Sequence, residues 1–335
     1  MTNPVISVVI MAHDRKQYLA RAIKSASNQT LDRGLYEIIV IKNFEDEEIE
    51  DLSKKVGAHS IFTEKKNIGD KIALGVSLSK GDLIAFLEDD DWFSKNRLEI
   101  IMNRFKENEL CYFHNSPEEV DESGTVVIDR SRKLKRDEIV RASNNNTLKF
   151  EWYSSGISNI AIKTDVLMRY LEPLKRMSFA LDVFMLFVAI DSGRNMFFDR
   201  RKLTSTMIHT KSESNLEGRS SDEFFKKKAT SARRNLQDFI TMQSCFNAPL
   251  LKKRANWSIS HYKAVIHLAA PEDQESKLRA YDYVNLLNEG FHHDRSALAL
   301  FLTLFLQRIF PRLTRELYFK RISTRHAHHR IDSVR

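Results

Sequence analysis

Four consecutive acids, Glu88-Asp89-Asp90-Asp91, end a short apolar run, Leu83-Ile84-Ala85-Phe86-Leu87, and Trp92 follows them. The length of the run and the flanking Gly81 predict a fully buried strand, because buried parallel strands read as continuous apolar blocks. The acids then fall at the strand's carboxyl end, where open α/β sheets place their ligands. Adjacent carboxylates repel one another, and a hard divalent cation relieves that repulsion. Mg²⁺ takes one or two protein carboxylates and completes its shell with water and phosphate oxygens. A solvated acidic turn is the alternative reading of any charge block. Position directly after a buried strand favours the ligand site.

A second candidate is Asp182, the single charged residue between Ala180 and Ile190. A carboxylate in such apolar surroundings is costly unless partnered, so it either caps the helix that continues to Ile190 or does chemistry. His209 ends a later strand-like run, a place where histidine is more often structural. The pairs His292-His293 and His328-His329 show no metal-ligand spacing. Lys71 and Arg15 are candidate diphosphate contacts, or surface cations.

Alternating strands and helices position these groups. Val5–Met11 is a first buried strand, Ala12-His13-Asp14-Arg15 the turn after it, and Gln17–Gln29 a helix with Leu19, Ala22, Ile23 and Ala26 on one face. Tyr36–Ile41 is a second strand, and the acids from Glu45 to Asp51 open a second helix at its positive end. Ser60–Thr63 is a third strand, Asn67 starts a third helix, and the run before the acids is the fourth strand. Arg97–Lys106 is a helix and Leu110–His114 a strand. Residues 115–150 read as a hairpin and loop insertion near the ligand site, Ser155–Ile162 as a strand after a turn, and Asp165–Leu171 as a helix ended before Pro173. Phe197-Phe198 marks a further strand. The alternation fits a doubly wound, mostly parallel sheet rather than a barrel. The polar stretch Thr210–Ser221 is the expected domain boundary. Beyond it Phe225, Ala229, Ala232, Leu236, Phe239 and Ile240 recur at helical spacing, and Ser258–Ala269 and Lys277–Asn288 repeat the habit.

The 335 residues suffice for one large core or two smaller ones. Two distant cysteines, Cys111 and Cys245, exclude a disulfide framework and a cysteine zinc site, and suit a reducing compartment. Met1-Thr2-Asn3-Pro4 has no secretory pattern. Net charge is +8, yet from Arg308 to Arg335 eight basic residues stand against two acidic ones, a balance of +6. The rest is nearly neutral, which argues against nucleic acid as a partner. Ser296–Gln307 carries no charge but is too short to span a bilayer, which takes roughly 20 residues. Next to it Ile309, Phe310, Leu313 and Leu317 form an apolar stripe beside Arg308, Arg312, Arg315, Lys320 and Arg321. Such a stripe suits an anionic membrane surface. Burial in the helical domain, or a homo-oligomer contact through the C-terminal helices, is the other reading.

Taken together, residues 4–215 resemble the inverting glycosyltransferases of family 2, which have the GT-A fold. The resemblance rests on the first strand with Arg15, on Asn67-x-Gly69 with Ala73, and on Gly81-Asp82-x-Ile84-x-Phe86-Leu87-Glu88-Asp89-Asp90-Asp91. Downstream it rests on Asp182 in Ala180–Leu186 and on Ile208-His209-Thr210-x-x-x-Ser214. Each motif is weak alone; their order and spacing are fairly specific. The resemblance implies a GT-A domain over 1–215, a helical C-terminal domain with an amphipathic basic tail over 216–335, and transfer of a sugar from a nucleotide-sugar donor to a hydroxyl of a glycan or lipid-linked acceptor. It implies Mg²⁺ or Mn²⁺ held by Asp90 and Asp91, with His209 completing the shell. Asp182 becomes the general base. Donor binding falls to Ala12, Arg15, Asn43, Asn67, Gly69, Lys71, Glu88 and Asp89, with solvent or a helix cap as the plainer role of Asp89. Three positions depart from the pattern: Glu88 where the family has Asp, Leu181 where it often has Glu, and Lys42-Asn43-Phe44 where relatives carry an acidic pair for the base and ribose. Asn43 could hydrogen-bond a base and Phe44 stack on one. The departures keep open a second reading, a catalytically inactive GT-A-like membrane-surface or scaffold protein. The expected location is the cytoplasm, with peripheral membrane association. A nucleotidyltransferase fits less well, since Met11-Ala12-His13-Asp14 has no glycine for a phosphate loop.

Overall fold

The computed structural model describes residues 5–107, 109–127, 134–141, 147–208 and 220–320. They fall into two compact units, one ending at Ile208 and one beginning at His209.

The first unit is built on β1 (Ile6–Met11), every residue of which is buried. It pairs in parallel with β2 (Tyr36–Lys42) on one side and with β4 (Leu83–Glu88) on the other; β3 (His59–Phe62) extends the sheet beyond β2. Met11 lies opposite both Ile41 and Glu88. The carboxyl ends of three strands are therefore level. The loop after β1 lies between Lys42-Asn43 and the acidic run, the crevice that an open α/β sheet offers a ligand.

Helices cover these strands where the apolar spacing predicts. α1 (Lys16–Ser27) buries Leu19, Ala22, Ile23 and Ala26. α2 (Glu47–Val56) starts at Asp46, whose carboxylate accepts from the Ile49 N–H, and it stops at Gly57 in the left-handed region, φ 66°. α3 (Ile68–Leu78) lies so close to β1 that a Cβ on Gly75 would stand 2.4 Å from Val9 Cγ1.

Beyond β4 the sheet becomes mixed. β5 (Trp92–Phe93), α4 (Arg97–Glu107), β6 (Leu110–Val120) and β7 (Glu138–Val140) follow in the chain, then β8 (Ile160–Lys163) and β9 (Asn195–Met207). β8 inserts antiparallel between β4 and β6, β9 runs parallel to β6, and β5 and β7 pair antiparallel with β9.

Three local expectations change. β6 runs to Val120, six residues past His114, and only then turns through Asp121–Thr125. The strand expected over Ser155–Ile162 begins at Ile160; Ile157–Asn159 is a 3-10 turn entered through Gly156 at φ 80°. The helix expected to stop before Pro173 is α5 (Thr164–Leu167), and Pro173 lies inside α6 (Leu171–Arg176). Proline is tolerated there because first-turn N–H groups have no intrahelical acceptor. α7 (Leu181–Asp191) is apolar almost throughout and largely buried.

The second unit is helical. α8 (Ser221–Cys245) opens with a capping box between Ser220 and Glu223, and α9 (Pro249–Ala269), α10 (Ala280–His292) and α11 (Ser296–Ile309) follow. Helix resumes over 311–320. Gly290 admits α11 closely, since a Cβ there would meet Leu298 Cγ at 2.4 Å. Glu289 is buried against Arg254 and His261. Among the described residues no helix is long and apolar enough to cross a membrane.

Candidate active site

The site forms where β1, β2 and β4 end. β4 stops at Glu88, and Asp89-Asp90-Asp91 form a turn closed by the Asp91 N–H on the Glu88 carbonyl at 3.3 Å. Strand alternation therefore ends at Glu88, and the acids distribute as a turn places them. Asp89 is fully buried and Asp90 nearly so. Both face Arg15: Nη2 lies 2.6 Å from Asp89 Oδ1, and Nη1 donates to Asp90 Oδ2. Asp89 Oδ2 accepts from the His13 N–H at 3.1 Å. The plain reading of Asp89 as a solvated or capping residue is thereby corrected. Asp91 is turned elsewhere, its Oδ1 accepting from the Met207 N–H at 3.0 Å. The Glu88 N–H donates to Ser158 Oγ at 3.0 Å.

Burial dominates the electrostatics. It pushes Asp89 up to about 7, against the pull of Arg15, and together with Asp90 it pushes Asp91 up to about 8. Glu88 is raised by burial and by the three neighbouring acids. Burial opposes the charge on Arg15, but Asp89, Asp90 and Glu88 outweigh it and its pKa rises.

The donor-side residues have mixed fates. Lys71 is fully buried, pushed down to about 8 by desolvation, and its Nζ donates to the Ala12 carbonyl at 2.9 Å and lies 2.7 Å from His13 Nδ1. Asn43 is bound to the loop after β1: its Nδ2 donates to Asp14 Oδ1 at 2.8 Å and its Oδ1 accepts from the Asp14 N–H at 3.2 Å. Asp14 has φ 58°, the one non-glycine residue with positive φ among those described. Lys42 is buried and committed to Glu50 at 2.6 Å and to the Phe44 carbonyl at 2.9 Å. Asn67 donates to the Lys175 carbonyl at 2.6 Å, and a Cβ on Gly69 would meet the Leu174 and Met177 carbonyl oxygens at 2.2 and 2.4 Å. Asn67-x-Gly69 thus joins α3 to α6.

Asp182 lies in the first turn of α7, half-buried, accepting from the Gly156 N–H at 3.1 Å and its neighbour Val183 N–H at 2.8 Å. Burial raises its pKa while these two N–H groups oppose the rise. The 156–158 segment joins the two halves of the site: Gly156 binds Asp182, and Ser158 binds the end of β4. His209 lies outside the described residues.

His13 and Ser158 were not singled out by sequence reasoning. His13 was within reach, as it occupies the turn at the switch point of the sheet. Ser158 left no signal, because its role depends on β8 inserting beside β4. Two carboxylates converging on one cation suit a Mg²⁺- or Mn²⁺-type site, which needs few protein ligands when phosphate oxygens complete the shell. No cluster of three or more His, Cys, Asp or Glu side chains arranged for a metal ion occurs among the described residues.

A parallel sheet with acids at its switch point, continued by a mixed sheet and followed by helices, is the GT-A arrangement. Residues 7–160, a little under half of the chain, match the model of glycosyl transferase family 2. The chain is 36% identical over 126 residues to an uncharacterized glycosyltransferase of Rickettsia bellii, which is 36% of this chain and 18% of that protein. It is 32% identical over 109 residues to the poly(ribitol-phosphate) beta-N-acetylglucosaminyltransferase TarP of Staphylococcus aureus, covering 31% of this chain and 33% of TarP. The matched stretch is thus under a fifth of the first relative and a third of the second. The crystal structure of S. aureus TarS 1-349 in complex with UDP-GlcNAc superposes with a TM-score of 0.54 over 91% of this chain and 92% of that one, at 13% identity. That likeness concerns the fold.

Proposed function

We propose that the chain transfers a sugar from a nucleotide-sugar donor to a hydroxyl of a glycan or lipid-linked acceptor, with inversion at the anomeric carbon. The observation that carries this reading is the placement of Asp182 and the acidic turn on two ends of one short segment, Gly156 to Ser158, beside the carboxyl end of β4. The acceptor oxygen attacks the anomeric carbon, its proton passes to Asp182, and the bond from that carbon to the diphosphate breaks on the opposite face. The raised pKa of Asp182 brings its basicity nearer the working pH, and Gly156 and Val183 hold its oxygens in place. Asp89 and Asp90 would hold Mg²⁺ or Mn²⁺, which supplies charge stabilisation for the departing diphosphate. Arg15 and Lys71 add positive charge at the same end of the sheet. A UDP-linked sugar is the favoured donor, in keeping with UDP-GlcNAc in the TarS complex.

An anionic membrane surface is the proposed setting. Leu302, Phe305, Leu306, Ile309, Phe310, Leu313 and Leu317 are each about half exposed or more, and Arg308, Arg312 and Lys320 are exposed among them. An apolar row studded with cations matches anionic headgroups, and it would bring a lipid-linked acceptor to the enzyme. The function is tested by nucleoside diphosphate release from a panel of UDP-, GDP- and dTDP-sugars with Mn²⁺ and candidate acceptors. Release from a UDP-sugar that depends on the acceptor is expected. Absence of release from every donor would leave the inactive-scaffold reading.

A further inference from the structure

Arg15 binds the same carboxylates that a divalent cation would use. Its two terminal nitrogens divide between them, Nη2 to Asp89 Oδ1 and Nη1 to Asp90 Oδ2. The second oxygen of Asp89, Oδ2, already accepts from the His13 N–H. Asp91 offers no substitute, since it is buried and accepts from the Met207 backbone. A cation that binds Asp89 Oδ1 therefore competes with the guanidinium for that oxygen.

The two partners differ in their freedom to move. Asp89 is sealed in the protein, whereas the Arg15 side chain is one-third exposed. Arg15 also stands at the N-terminal boundary of α1 and makes no side-chain cap there. It directly follows Asp14, the residue in the left-handed conformation, at the turn where β1 gives way to α1. A planar guanidinium released from a pair of carboxylates is well suited to bind phosphate oxygens, again through two parallel hydrogen bonds.

We propose that Arg15 is an exchangeable counter-cation: it neutralises the Asp89–Asp90 pair in the empty enzyme, yields that pair to the divalent cation, and moves onto the donor diphosphate. This rests on the transferase reading above and adds an order to it. Metal binding without nucleotide is penalised because Arg15 competes. Nucleotide removes the penalty by giving the guanidinium a new anion. Metal and nucleoside diphosphate then bind with positive coupling, and that coupling resides in one side chain.

Mn²⁺ binding to the full chain, read from the free-ion electron paramagnetic resonance signal, tests this without any turnover. Wild type is expected to bind Mn²⁺ weakly alone and much more tightly with UDP. Arg15→Gln removes the competitor while keeping most of the side chain. It should bind Mn²⁺ alone about tenfold more tightly than wild type, within the usual range of coupling, and should lose most of the UDP-induced gain. Arg15→Lys keeps one charge without the fork and should lie between; it also serves as the measurement if Arg15→Gln fails to fold. Mn²⁺ affinity in the variants equal to or weaker than wild type overturns the proposal, as does the absence of Mn²⁺ binding to any of the three. Because no sugar is present, the outcome is independent of the donor panel: a protein can show this competition and fail to transfer, or transfer without it.

Discussion

Asp90 and Asp182 are proposed for different parts of the chemistry, and their variants should fail differently. Asp90→Ala removes one of the two carboxylates, Asp89 and Asp90, that would hold the divalent cation. A loss of transfer of roughly a thousandfold or more is expected, with the fold intact by circular dichroism and with Mn²⁺-dependent UDP binding weakened in calorimetry. Unchanged binding would remove Asp90 from the metal site. Asp182→Asn keeps the shape but cannot take a proton, and should cost about two to four orders of magnitude in transfer with donor binding preserved. The wild-type rate should also report this group. Burial raises the Asp182 pKa, so the acid limb of kcat/KM is expected above the ordinary aspartate value of about 3.9, with activity rising as the carboxyl loses its proton. A variant as active as wild type would leave Asp182 as a structural group bound to Gly156 and Val183.

The Asn67-x-Gly69 motif reads differently at the scale of the elements. The family resemblance puts it among the donor-binding residues, while its atoms are occupied in fastening α3 to α6. Gly69→Ala places a methyl group against two backbone carbonyls that cannot retreat as a side chain tip can. It should cost at least about 1–3 kcal/mol in chemical denaturation, before any ligand is added. A variant of normal stability but impaired donor binding would instead assign the motif to the ligand. Lys42 is instructive in the same way. Its off-pattern charge looks like a change in base recognition, yet it is buried and satisfied by Glu50 on α2, so it holds the end of β2 to the helix that follows.

Over the whole molecule, the buried acids make stability depend on pH. Asp89 and Asp91 have folded-state values of about 7 and about 8, well above the unfolded aspartate value. The folded chain thus holds their protons more tightly, and their contribution is complete below about pH 4 and lost as pH rises through about 7 and 8. The melting temperature of the metal-free protein is expected to fall from about pH 4 to about pH 8 and to level off above it, and Mn²⁺ should restore it most at the upper end. A flat or rising profile would contradict the burial of these groups. The exposed row on α11 and the 311–320 helix gives a second whole-molecule test. Wild type should co-sediment with liposomes containing acidic lipid at low salt, and the double variant Phe305→Glu, Ile309→Glu should stay in the supernatant. Equal recovery of both would reassign the row to a contact between copies or to none.

The order of elements through β4 and the position of the acids were legible in the sequence because both are local. Apolar runs of strand length, helical spacing in Leu19–Ala26 and the acids after Leu87 are written in adjacent residues, and the register of parallel strands follows from burying those runs together. That Asp89 and Asp90 would share Arg15 was not legible. Alternation along a strand groups Glu88 with Asp90, but the chain turns after Glu88 and joins Asp89 to Asp90 through Arg15, 75 residues away from Asp90. Ser158 and Gly156 were equally silent. Their work begins only when β8 inserts antiparallel beside β4 and carries the turn before it to the acids and to Asp182. Such contacts are decided by which strands become neighbours, and that depends on closing long loops over a shared core rather than on any local pattern.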